Sequence, residues 1–255
     1  MPSLALRPRS PSELVDAAFQ VLRAHYPQFV MCSAIAYLPW LITDIVRASD
    51  PASLAIPDLG RTLLLGLVMW LSFAVMNSVL IACAAQAYLG EPIHVASAVR
   101  KAVVRAPAVL VGATLRFLLI GFAFLFLFFP ALYPAARFFA VTPAILLEGK
   151  GPLEAFARSS QLSRGRKWHV LLTIGLVFVI YLVLLLGIFA VLQIVSNLLV
   201  QVIVTALFTI LVYPVVAITE TLLYYDTRIK HEGLDIELMA GALDSRDVER
   251  ESAAS

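Results

Sequence analysis

Between Phe29 and Tyr225 the chain is a series of six long apolar segments, joined by short connectors whose basic residues fall mostly on one side. A span needs roughly 20 apolar residues to cross about 30 Å of hydrocarbon, so the pattern points to an all-α, polytopic helical bundle in a bilayer. Composition agrees. Hydrophobic residues make up 61% of the 255, charged residues 14%, and mean hydropathy is +0.90, far from the values of a soluble domain. The spans are predicted at 29–46, 62–89, 109–129, 133–147, 170–189 and 198–224. The fourth is short and carries Arg137 and Pro143, which would also suit a re-entrant piece.

Charge decides for a crossing. With six spans, 15 of the 19 Lys and Arg lie on one side, among them Arg7, Arg9, Arg23, Arg100, Lys101, Arg105, Lys150, Arg158, Lys167, Arg228 and Arg250, while only Arg47 and Arg61 lie opposite. Basic residues stay cytoplasmic, so both termini are expected inside; without the fourth span the segment 158–167 would fall outside. The first 25 residues hold no apolar core followed by a small-residue cleavage site, and the first span is expected to be its own insertion signal. Arg outnumbers Lys 15 to 4 and Ala, Leu and Val dominate, as in proteins of GC-rich bacterial genomes, which points to a bacterial cytoplasmic (inner) membrane. Cys32 and Cys83, near the cytoplasmic ends of the first two spans, read as packing residues rather than a disulfide or metal site.

An internal repeat organises the connectors. Ser10 to Glu13 is a capping box with Pro11 at the first helical position, and Leu14, Val15, Ala18, Phe19 and Leu22 follow at helical spacing. Before the third span Val95, Val99, Ala102, Val103 and Ala106 make one face, against His94, Ser97, Lys101 and Arg105. Before the fifth, Leu153, Phe156 and Ala157 oppose Glu154, Arg158 and Gln161. Turns containing Gly90, Gly149 and Gly233 stand at matching places. The unit is turn, surface helix, membrane hairpin, repeated at 10–89, 92–147 and 152–224 within one domain, 1–243. Three units would form one bundle with a cytoplasmic collar of helices in the membrane interface; the alternative is ordinary basic loops with chance periodicity. A helix at 234–243, with Ile236, Met239, Ala240 and Leu243 on one face, is expected to dock on the collar, and 244–255 to be a disordered tail.

Ionisable residues inside spans are costly and become candidate functional groups. Counting inward at about 1.5 Å per residue puts Arg116 and Glu220 in the cytoplasmic half, and Asp44 and Arg137 toward the outer face. Two ion pairs follow, Arg116 with Glu220 and Arg137 with Asp44, either structural or lining a polar cavity for a lipid headgroup or small ion. Gln193, Asn197, Gln201, Thr205 and Thr209 recur every fourth residue, a stripe that winds around a helix rather than lining one wall. Interhelical hydrogen bonding is the reading for Asn197, Gln201 and Thr205, as for Asn77 and Gln86 beside the small residues Ala74, Ser78 and Ala82. Pro39, Pro143 and Pro214 are expected to kink their spans or free carbonyls. No phosphate loop, dinucleotide turn or zinc-protease motif occurs, so no cofactor or metal is expected. His25, His94, His169 and His231 read as interfacial anchors, and topology accounts for the basic residues without nucleic acid.

Three segments carry a likeness: RPRSPSELVDAAF at 7–19; LEG at 147–149 with ARSSQLSRG at 157–165 and Trp168; and YYDTRIKHEGLDIEL at 224–238. Their order resembles bacterial proteins of the glycerophosphoryl diester phosphodiesterase membrane-domain family, nearly end to end. The resemblance implies a six-span inner-membrane protein. That family takes its name from fusions to a soluble phosphodiesterase barrel, for which this chain has neither room nor acidic and histidine motifs, so enzymatic activity does not carry over. The expectation is a non-enzymatic accessory or scaffold domain whose collar meets membrane lipids or a membrane or cytoplasmic protein partner. The alternative is a small transporter or lipid-handling protein with an intramembrane polar site around Arg116, Arg137 and Glu220.

Overall fold

The computed structural model describes residues 9–49, 59–126 and 128–232, so the predicted docking helix and tail lie outside the described residues. Ten α-helices and no strand are found among the described residues. Six helical stretches are long and apolar enough to cross a membrane, as the hydropathy pattern requires.

The chain enters through α1 (Pro11–Ala24). Its capping box forms as written: Glu13 N–H donates to Ser10 Oγ at 3.3 Å, and Ser10 N–H donates to Glu13 Oε2 at 2.8 Å. Three hairpins follow. The first pairs α2 (Tyr26–Ser49) with α3 (Leu59–Tyr88). In the second, α4 (Val95–Phe126) goes out and α5 (Phe128–Arg137) with α6 (Val141–Leu147) returns. After α7 (Pro152–Leu162), the third sends out α8 (Lys167–Leu192) and returns through α9 (Leu198–Val212) and α10 (Pro214–Glu232).

Two returning spans are broken rather than continuous. Between α5 and α6 the chain turns at 138–140, which frees backbone groups that an apolar setting cannot solvate. Serines of α7 and its C-cap satisfy them: Ser159 Oγ donates to the Arg137 carbonyl at 2.9 Å and accepts from Ala140 N–H at 3.0 Å, and the C-cap Ser163 Oγ donates to the same carbonyl at 3.3 Å. The sixth span breaks at Tyr213, because Pro214 has no N–H with which to continue the ladder. Pro39 and Pro107, by contrast, lie inside uninterrupted helices.

The surface helices differ from their predicted form. Residues 95–106 are not a separate helix but the first part of the 32-residue α4. On α7 Ala155, Ser159 and Leu162 are buried and Phe156 packs on Phe138 at 4.9 Å, while Leu153 is 77% exposed, so the helix docks on protein through a face that the reading from Leu153, Phe156 and Ala157 only partly includes. Ser159 was not part of that reading because a polar residue carries no apolar signal, although here it buries hydrogen bonds. The apolar face of α1, with Leu14, Val15, Ala18 and Leu22, is buried against protein rather than offered to headgroups.

The three units engage in a ring. Helix α1 packs on α8 and α10 of the third hairpin, α7 packs on α4 and α6 of the second, and the start of α4 is tied to α3 of the first. Each surface segment thus rests on the preceding hairpin, and together they form a collar at one end of the bundle. The returning helix α3 and α10 run side by side, with Tyr88 stacked on Tyr225 at 4.7 Å. Phe29, Met76, Leu80, Ile218 and Tyr224 make the dry core, while Leu63, Leu67, Phe122, Leu125 and Val183 stay exposed on the long sides, where hydrocarbon would meet them.

Candidate functional site

Arg116 is on α4 and Glu220 on α10, and the bundle brings them together: Arg116 Nη1 donates to Glu220 Oε1 at 3.2 Å and to the Phe139 carbonyl at 3.4 Å. That carbonyl belongs to the break between α5 and α6, so the guanidinium ties two hairpins and a turn. The pair lines a hollow of about 290 Å³ with Trp70, Asn77, Thr142 and Tyr213, where α3, α4, α6 and α10 meet. Asn77 Oδ1 accepts from Tyr213 OH at 3.0 Å, the interhelical bond expected of it. Trp70 Nε1 donates to Thr114 Oγ1 at 3.0 Å on the wall.

Phe73 and Tyr213, in edge contact at 5.3 Å, separate this hollow from a second of about 350 Å³. Asp44 and Thr205 line the second with Tyr37, Trp40 and Tyr181. The predicted Arg137–Asp44 pair is not formed. Arg137 instead donates from Nε to Ser160 Oγ at 2.9 Å and from Nη1 to Tyr133 OH at 3.3 Å, and its guanidinium lies over the Tyr133 and Phe138 rings. Counting depth along one straight helix failed because α5 ends at Arg137, whose side chain reaches Ser160 of α7.

Asn197 caps α9, accepting from Val200 N–H at 3.2 Å, and the Gln201 amide donates to the Val195 carbonyl. Both close the α8–α9 connector rather than joining spans. Gln193 is likewise outside the helices, so the four-residue stripe does not run along one helix. Gln86 donates to Ser97 Oγ at 3.0 Å and accepts from His94 N–H at 3.0 Å, fixing α3 to the start of α4. Cys32 and Cys83 are buried free thiols with Sγ atoms 3.5 Å apart.

Two charge networks at the collar were not singled out in the sequence. Glu148, just past α6, accepts from Arg158 Nε at 2.8 and 2.9 Å and from Tyr224 OH at 2.6 Å. Arg158 also grips Glu232, which accepts from Arg228 at 3.0 Å. Its bonds to Glu232, ahead of those to Glu148, hold the Arg158 guanidinium charged well above its ordinary range against the opposing effect of burial. The second network centres on Asp226, which is 2% exposed. It accepts from Arg9 N–H at 2.8 Å and Lys230 Nζ at 2.6 Å, and lies 3.2 Å from His169 Nε2, which brings His169 into the network. Lys230 also donates to the Arg9 carbonyl at 3.1 Å. The spacing of Asp226 and Lys230, four apart on a helix, was the available signal.

Among the described residues no group of three His, Cys, Asp or Glu is placed to hold a metal. Comparison with family models, curated proteins and solved structures returned no match.

Proposed function

We propose that the chain is a non-enzymatic protein of a bacterial cytoplasmic membrane, with both termini inside, acting as an accessory or scaffold domain whose collar contacts lipids or partner proteins. The observation that carries this reading is the collar itself, a ring of docked segments held by one buried and one partly exposed charge network at one end of a bundle with apolar sides. Lys101, Arg105, Lys150, Arg164 and Arg166 lie in or beside its segments, in keeping with a cytoplasmic face.

We also propose kinship with the glycerophosphoryl diester phosphodiesterase membrane-domain proteins. The three segments that carry the resemblance are the ones whose residues meet in the collar: Arg9 with Asp226 and Lys230, and Glu148 with Arg158 and Glu232. On this reading the shared motifs encode architecture rather than catalysis.

A second reading, a small transporter or lipid-handling protein, is favoured by the Arg116–Glu220 hollow at the junction of the hairpins. The deciding experiment is native mass spectrometry of protein extracted with its own lipids, paired with solute flux and lipid transfer in liposomes. Lipid or protein retained on the wild type, and lost when exposed collar residues are changed, supports the scaffold. Flux or transfer abolished by Arg116→Ala in a folded protein would replace it with the second reading.

A further inference from the structure

We propose that Arg137 and Lys167 form a phosphate-binding site, completed by the hydroxyls of Tyr133 and Ser160, and that the phosphate belongs to a membrane phospholipid. The inference rests on the reading of the collar as a lipid-contacting surface and gives that contact a chemistry.

The two cations converge on one ring. Lys167 Nζ lies 4.2 Å from the Tyr133 ring centroid and Arg137 Cζ lies 5.9 Å from it. Arg137 Nη1 is within 3.3 Å of the Tyr133 hydroxyl, while Nε is held by Ser160 Oγ at 2.9 Å. Among the described residues neither cation meets a carboxylate within 4.0 Å, whereas Arg116, Arg158, Arg228 and Lys230 each do. Two like charges within 6 Å of one ring and without a carboxylate repel, and an anion bound by both would turn that repulsion into charge-assisted hydrogen bonds. Local charge adds to the demand: Arg166 is the N-cap of α8 and Lys167 its first residue, where the helix end is itself positive. A planar guanidinium and a point ammonium, with two hydroxyls able to donate, match the oxygens of a phosphate.

The surroundings choose the carrier of that phosphate. Tyr133 is half exposed, Trp168 beside Lys167 is 77% exposed, and from Trp168 a stripe of Leu172, Leu176, Val179 and Val183 runs along α8, open to the outside of the bundle. A phosphate seated on Arg137 and Lys167 therefore has apolar surface beginning next to it, as a lipid with acyl chains requires and a free ion does not.

The test uses the full chain in discs of phosphatidylcholine with and without a minor fraction of phosphatidic acid, followed by native mass spectrometry. Wild type should retain one phosphate-bearing lipid per chain, preferring phosphatidic acid, and Arg137→Gln with Lys167→Gln should lower retention about tenfold at an unchanged unfolding midpoint. If the double variant does not fold, Lys167→Gln alone should show the loss and Lys167→Arg should restore it. Inorganic phosphate is titrated against the lipid in a parallel arm. Failure to compete supports the phospholipid, and binding of inorganic phosphate alone would overturn the lipid assignment. Equal retention in wild type and folded variants overturns the site. Lipid or partner loss on changing collar residues elsewhere would then still leave the scaffold reading intact.

Discussion

Arg116 and Glu220 lie 104 positions apart and pair across two hairpins, with side-chain exposures of 25% and 15%. Removing one member of a buried pair strands the other, at a cost of about 3 to 5 kcal/mol when burial is complete and less here. Arg116→Glu and Glu220→Arg should each lower the unfolding midpoint in detergent, and the double swap should recover much of the loss; no recovery would mean that the two do not act as a pair. Gly112 tests close packing at the same scale. A Cβ there would sit 2.6 Å from Ile145 Cδ1 and 3.2 Å from Val141 Cγ1, so α4 and α6 touch through this residue. Gly112→Leu is expected to destabilise by about 1 to 3 kcal/mol by forcing the helices apart, read as an earlier thermal transition. The hollow's charged pair was legible because two ionisable residues at similar depth in apolar spans have few other partners. Arg137 was not, because its depth depends on a turn that has no Gly and lies within an apolar run.

The fourth span shows how an element depends on its neighbour. Its break leaves the Arg137 carbonyl and the Ala140 N–H in an apolar setting, and both are met by Ser159. Ser159→Ala should therefore cost more than loss of one exposed hydroxyl, about 1 to 3 kcal/mol, and hydrogen exchange should rise first at 138–147. Exchange unchanged there would show that another group satisfies the turn. Hairpin register offers a second check. With Cys32 and Cys83 Sγ atoms 3.5 Å apart on α2 and α3, mild oxidation of detergent-opened protein should form an intramolecular disulfide, visible as a mobility shift absent from Cys32→Ser. A cross-link only between chains would contradict the register.

At the scale of the molecule, the cyclic docking of surface segments on preceding hairpins makes the collar one mechanical unit and sets the sidedness of everything attached to it. In a background lacking Cys32 and Cys83, Pro130→Cys should react with an impermeant thiol reagent from outside the cell, and Arg164→Cys only after the membrane is opened. The reverse pattern would invert the orientation and remove the cytoplasmic collar from the proposed function.

Sequence alone was enough to establish six apolar spans, an all-α bundle and the capping of α1, because hydrocarbon thickness, backbone hydrogen bonding and local side-chain caps act on short stretches of chain. Tertiary structure decided which surface face is buried, where the returning spans break and which cations find carboxylates. Those outcomes depend on groups brought together from distant positions: Arg9 with Asp226, Ser159 with Ala140, Tyr133 with Lys167. No local periodicity records such meetings, since they are set by the packing of helices far apart in sequence, such as α5 on α8 and α1 on α10.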